Sequence, residues 1–174
     1  TLRARHLSVF SNMKLRFPGR PQSPDLLVLD NRDATLFVIE FKNYIPPLDV
    51  GTVCNRVEEA RKGISQAQRG MALIHTNPAV VERGIQQTLS GWSIKGVLLT
   101  RHPMPLPIDP PDDVSVVDWP FLRRVLENDS SVRFSNAISR AVPQNAEPLE
   151  FGEDEIHVRR WTYRRVLPLR TPVK

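Results

Sequence analysis

The chain has 174 residues and a mass of 19.8 kDa, enough for one domain with a properly buried core. Hydrophobic residues make up 40% and charged residues 25%, which excludes a disordered or fibrous chain, and no apolar run approaches the roughly 20 residues of a membrane span. The net charge is +5, and the single cysteine, Cys54, excludes an internal disulfide and a cysteine-based zinc site, so a cytoplasmic location is expected.

Residues 1–17 carry Leu2, Leu7, Val9, Phe10, Met13, Leu15 and Phe17, a mixed pattern that suits either a short helix or a strand leading into the core. Pro18 to Pro24 reads as a loop. Leu26–Leu29 reads as a buried strand, Asn31-Arg32-Asp33-Ala34 as a turn, and Leu36–Lys42 as a second strand rich in β-formers. Together they predict a β-hairpin, ended by Tyr44-Ile45-Pro46-Pro47.

Residues 52–76 predict a helix: Val57, Ala60, Ile64, Ala67, Met71 and Ile74 recur at steps of three and four. Asn77-Pro78 predicts the start of a shorter helix to about Thr88. Ile94–Thr100 is a third strand. A proline-rich loop follows from His102 to Pro111, then a fourth strand at Val114–Val117 and a helix over Trp119–Leu126. The order β-β-α-(α)-β-β-α predicts an α/β fold, a mixed sheet with helices packed on it. Residues 1–130 read as the folded domain. Residues 131–174 read as a C-terminal extension, with a helix near 132–142, a linker over 143–155 and a weakly alternating strand or tail beyond.

The hairpin concentrates chemistry at its open end. If Leu29 pairs with Leu36, Asp25 lies opposite Glu40, and paired residues project to the same face about 5 Å apart. Lys42 lies two residues beyond Glu40 and shares that face. Two carboxylates that close repel unless a cation sits between them, and either Lys42 or a divalent metal fills that role. Oxygen ligands of this kind suit Mg²⁺ or Mn²⁺, which polarise a phosphodiester, while Lys42 orients a water or stabilises charge on the phosphate. The chemistry implied is phosphodiester hydrolysis.

Pro24-Asp25, fourteen residues, then Glu40-Phe41-Lys42 resembles the signature of the PD-(D/E)XK nuclease superfamily, and most of all its nuclease-related (NERD) and restriction-endonuclease-like members. Those often carry a glutamine followed by small and polar residues on the crossover helix, and Ile64-Ser65-Gln66-Ala67-Gln68-Arg69-Gly70 occupies that place. Lys95–Thr100 and Val116–Leu122 resemble the final strands and closing helix, so the resemblance spans about residues 20–127. It implies a restriction-endonuclease-like sheet flanked by helices, with Asp25 and Glu40 as metal-binding carboxylates and the Phe41 carbonyl as a further ligand. Lys42 would position water, and Gln66 would orient Lys42 or a phosphate. Many relatives carry another acid on a helix before the hairpin. Residues 1–20 hold none, so that acid precedes Thr1, or one metal suffices, or the site is compromised.

Charge is also unevenly spread. Residues 1–20 and 156–174 hold 11 of the 24 basic residues and none of the 19 acidic ones, leaving net −6 between them. An acidic middle with basic ends suits divalent cations centrally and a polyanion at the rim, or the ends simply keep a fragment soluble. Arg159-Arg160-Trp161-Thr162-Tyr163-Arg164-Arg165 interleaves aromatics with arginines, as segments that track nucleic acid do. An edge strand with a solvated arginine face, or a contact to a longer parent chain, accounts for it equally. Arg69 and Arg101 are further candidate phosphate contacts. The expectation is a Mg²⁺- or Mn²⁺-dependent deoxyribonuclease module of a larger restriction, repair or phage-defence protein. It would act on DNA, as a homodimer or with further domains of its parent chain, away from membranes. The rival expectation is a catalytically inactive nuclease-like domain that binds nucleic acid or serves assembly.

Overall fold

The computed structural model describes residues 7–13, 23–43, 50–102, 108, 110–129, 131–141, 147–149 and 158–160. Five strands form one mixed sheet: β1 (Leu7–Ser11), β2 (Leu26–Asp30), β3 (Thr35–Lys42), β4 (Ser93–Thr100) and β5 (Val114–Asp118). They lie in chain order, with β1, β2 and β3 antiparallel and β3, β4 and β5 parallel. The ambiguous N-terminal stretch is therefore a strand in its described part. Leu29 pairs with Leu36, the register that the turn residues imply.

β2 to β5 are largely buried on both faces, which is why they read as continuous apolar runs rather than alternating ones. Leu27, Leu29, Leu36, Val38, Leu98 and Val116 point to one face. There they meet Ala60, Ile64, Ala67, Met71 and Ile74 of α1 (Val50–Thr76), the stripe expected from the sequence. Val28, Phe37, Ile39, Val97, Leu99 and Val117 point to the other. They pack against α3 (Trp119–Asn128) and α4 (Phe134–Ala141). Each large side chain so buried stabilises the fold by about 1.5–3 kcal/mol. α1 comes close enough to the sheet that a Cβ on Gly96 would stand 2.7 Å from Met71 Sδ.

α2 (Pro78–Ile85) is shorter than expected. Gln86 takes the left-handed conformation at φ 56° and its N–H returns to the Glu82 carbonyl, which closes the helix. α3 begins where Asp118 ends β5, because the Asp118 carboxylate accepts the Phe121 N–H at 2.8 Å and Pro120 sits in the first turn. α4, expected near 132–142, shares the second core: Phe134 meets Phe37 edge to face, with ring centroids 5.1 Å apart. Within the stretch expected to be a linker, β6 (Glu147–Leu149) pairs antiparallel with β7 (Val158–Arg160) as a separate two-stranded sheet. Pro148 is tolerated in so short an edge strand. Among the described residues no helix is long and apolar enough to cross a membrane.

Candidate functional site

The site forms where the hairpin stops pairing. In an antiparallel ladder, alternate residues turn both N–H and C=O toward one neighbour. On β3 the even positions face β4, as the Arg101 N–H donating to the Lys42 carbonyl at 3.0 Å shows. Phe41 therefore faces β2, and its partner in a continuing register is Pro24, which has no N–H. The ladder stops short of that position, its last pair being Leu26 with Ile39, two pairs before Pro24 and Phe41. The Phe41 N–H instead donates to Asp25 Oδ2 at 2.8 Å. That bond aims the Asp25 carboxylate, and the Phe41 carbonyl faces the same opening without a ladder donor.

Glu40 projects to the α1 face and is only 6% exposed. Burial pushes its carboxyl up to about 7, and the neighbouring Asp25 charge adds to the rise, while Lys42 and Arg69 oppose it. The Asp25 and Glu40 carboxyls are within hydrogen-bonding reach of each other. Lys42 Nζ stands 3.8 Å from Glu40 Oε2 and donates to Gln66 Oε1 at 2.8 Å. The structure thus brings Asp25, Glu40, Lys42 and Gln66 together, from the ends of two strands and the middle of one helix. Gly63 makes room for this: a Cβ there would stand 3.2 Å from Lys42 Cε and 2.7 Å from Leu98 Cδ1. The lysine stem lies across the bare glycine.

Two neighbouring carboxyl groups, Asp25 and Glu40, beside a main-chain carbonyl with no ladder donor, form an all-oxygen donor set of the kind Mg²⁺ or Mn²⁺ takes. Among the described residues no group of three or more His, Cys, Asp or Glu side chains is gathered for a metal. An ion held here would take its further ligands from the Phe41 carbonyl, water and substrate oxygens.

Beside this point a groove of about 700 Å³ runs along the middle of α1, with Lys42 and Asn43 at one wall and Lys62, Ser65, Gln66 and Arg69 at the other. Arg69 is exposed there, close enough for its charge to act on Glu40. Arg101 lies past the end of β4 and donates to Asn43 Oδ1 at 3.3 Å. Arg159 and Arg160 belong to β7, whereas Trp161, Arg164 and Arg165 lie outside the described residues. Sequence reasoning missed Lys62, Ser65 and Asn43, and the parts played by Pro24 and Gly63. The spacing of Lys62, Gln66 and Arg69 at i, i+4 and i+7 was the available signal for the helix residues. No protein-family model matches the chain, and no curated protein or solved structure does either, so the chemistry at this site is read from Asp25, Glu40, Lys42 and Gln66 themselves.

Proposed function

We propose that this chain is a metal-dependent nuclease domain of the PD-(D/E)XK type, with a restriction-endonuclease-like fold, that hydrolyses phosphodiester bonds in DNA. One observation carries the reading. Asp25, Glu40 and Lys42 converge at the open end of the hairpin, and Gln66 holds the lysine there at 2.8 Å. A lysine and two carboxylates at the mouth of a polar groove suit an anionic substrate and an attacking water better than they suit a packing role, since buried charges without such work are costly.

In this reading Asp25, Glu40 and the Phe41 carbonyl would hold Mg²⁺ or Mn²⁺, which when bound would supply Lewis-acid polarisation of the phosphodiester and offset its charge. The Phe41 N–H fixes the rotamer of Asp25. Lys42 Nζ, oriented between Gln66 Oε1 and Glu40 Oε2, directs the attacking water and balances charge on the phosphate as the bond to the leaving oxygen breaks. Gln66 is a positioning residue that acts through Lys42. We place the domain in the cytoplasm, as a module of a larger restriction, repair or phage-defence protein, working as a homodimer or with further domains of its parent chain.

A second reading, a nuclease-like fold that binds nucleic acid or serves assembly without cutting it, draws support from the donor set, in which only two carboxylates are gathered among the described residues. Cleavage of supercoiled plasmid and single-stranded circular DNA with Mg²⁺, Mn²⁺ or EDTA separates the two. Metal-dependent nicking that falls by about 10²–10³-fold in Lys42→Ala supports the nuclease. Equal, salt-sensitive DNA binding by both proteins with no cutting by either supports the binding module.

A further inference from the structure

We infer that Lys62 and Arg69 of α1 grip the sugar-phosphate backbone of a DNA strand on either side of the phosphate presented to Glu40 and Lys42, so that the strand is held without its bases being read. The inference rests on the nuclease reading for the identity of the central phosphate, and it adds how the polymer is seated.

Three observations support it. The first is placement. Lys62, Gln66 and Arg69 lie on one stripe of α1, and Gln66 is the residue bonded to Lys42. Lys62 and Arg69 therefore bracket the site by one helical turn each. At a rise of 1.5 Å per residue their backbones stand about 10 Å apart along the axis, a span from which two long side chains reach the phosphates on either side of a central one. A phosphate at Lys42 falls between the neighbours that the two cations can reach.

The second is charge. The groove wall also carries Arg56 and Arg61, but these pair with Glu59 and Glu58 along the helix. Among the described residues neither Lys62 nor Arg69 has an ion-pair partner, and both are exposed. They are the cations on this wall available to a polyanion. The third is the character of the wall. Every described residue lining the groove is charged or polar, and none is aromatic. Such a surface hydrogen-bonds phosphate and sugar, and its described part offers no aromatic face on which a base could stack.

The test is fluorescence anisotropy on the full chain in EDTA, with labelled DNA oligonucleotides of two unrelated sequences, each as duplex and as single strand, over a salt series. Lys62→Ala and Arg69→Ala are compared with wild type and with Arg123→Ala, which removes an exposed cation from α3 on the opposite face of the sheet. In the form of DNA that binds more tightly, Lys62→Ala and Arg69→Ala are each expected to weaken binding by about tenfold. Each should also lower the slope of log affinity against log salt by about 1, equally for both sequences, while Arg123→Ala changes neither. An unchanged slope in both variants, a loss confined to one sequence, or no binding by the wild-type chain overturns the inference. Cleavage measured in parallel keeps the two readings apart. Loss of slope without any wild-type cleavage defeats the hydrolase and leaves the grip, whereas wild-type cleavage with unmoved slopes defeats the grip and leaves the hydrolase.

Discussion

The β2–β3 hairpin carries carboxylates at both ends, and the two ends treat them in opposite ways. At the turn, Asp33 accepts from the Ser135 hydroxyl and the Arg133 guanidinium, which hold its carboxyl below the usual range, Ser135 first. Asp30, nearly fully buried, accepts the Arg32 N–H at 3.1 Å. At the open end, Glu40 is buried beside a second carboxylate, and its nearest cation, Lys42, is shared with Gln66. The turn end is saturated by its own chain and ties α4 to the sheet. The open end is left electrostatically unsatisfied, a state that persists only where the rest of the fold sustains it, and that is the mark of a site prepared for a ligand.

The contrast is sharpest in paired substitutions. Glu40→Gln is expected to reduce DNA cleavage by about 10³-fold while making the EDTA-treated protein more stable at alkaline pH, by on the order of 2 kcal/mol. The sign follows from the raised carboxyl. Between its ordinary value of 4.5 and about 7 the folded chain keeps a proton that the unfolded chain has released. Stability from neutral Glu40 therefore falls as pH rises through that window and is fully lost above it, and glutamine removes the loss. Cleavage should climb with pH up to about 7 and then level, since the ionised carboxylate is the form that holds a cation. Asp33→Ala should do the reverse: about 1 kcal/mol less stability, lost progressively in the wild type as pH falls through the lowered carboxyl, with cleavage per folded molecule unchanged. Thermal melts in EDTA across pH, beside plasmid nicking, read both variants. Parallel losses of activity in the two would erase the distinction between the ends.

Gly63→Ala probes the open end without touching a charged group. Alanine favours the helix by about 1 kcal/mol, yet its Cβ would meet Leu98 Cδ1 at 2.7 Å and Lys42 Cε at 3.2 Å. Leu98 is fully buried, so its overlap forces α1 or the Leu98 side chain to shift, and the lysine stem is pressed as well, which should draw Lys42 Nζ off Gln66. Cleavage per folded molecule is expected to fall by about 10- to 100-fold, with about 1–3 kcal/mol of stability lost to the overlap and partly offset by the helix preference of alanine. Unaltered cleavage would mean that the lysine does not need the position it holds.

Much of this arrangement was legible in the chain because it depends on periodicity and register. Apolar runs two strands deep gave the hairpin, Asn31–Ala34 set its register, and the stripe from Val57 to Ile74 turned α1 onto the sheet. Continued one pair past Leu26 and Ile39, that register carries Asp25 opposite Glu40, whereas Gln66 is pointed to by the family resemblance and by its place beside the apolar stripe of α1. β1 was not legible, because five residues with mixed burial have no period of their own and acquire one only by pairing with β2. Nor was the Phe41 N–H bond to Asp25, which follows from what Pro24 lacks rather than from what it carries. Arg69 is already a candidate phosphate contact in the sequence, whereas Lys62 hides in an ordinary solvated helix face. Lys62 and Arg69 differ from Arg56 and Arg61 in forming no ion pair along the helix, although Glu59 stands three residues before Lys62, and that distinction means little until α1 is seen beside the strand ends.

The smallest effect lies at the turn. Ala34 adopts φ 45°, in the left-handed region, while its carbonyl accepts the Ser93 N–H at 2.9 Å and so ties the turn to the start of β4. A non-glycine residue in that conformation costs about 1–2 kcal/mol relative to its preferred state. Ala34→Gly relieves this cost but enlarges the conformational freedom of the unfolded chain by about 0.4–1 kcal/mol. The net expectation is a gain of a few tenths to about 1 kcal/mol, read as a rise in the denaturant midpoint with an unchanged slope. Cleavage should not move, since the substitution sits at the opposite end of β3 from Glu40 and leaves the register with β2 intact. A change in cleavage alongside the stability gain would show that strain at the turn is transmitted along β3 to the carboxylates, and the two ends of the hairpin would then have to be treated as one coupled element.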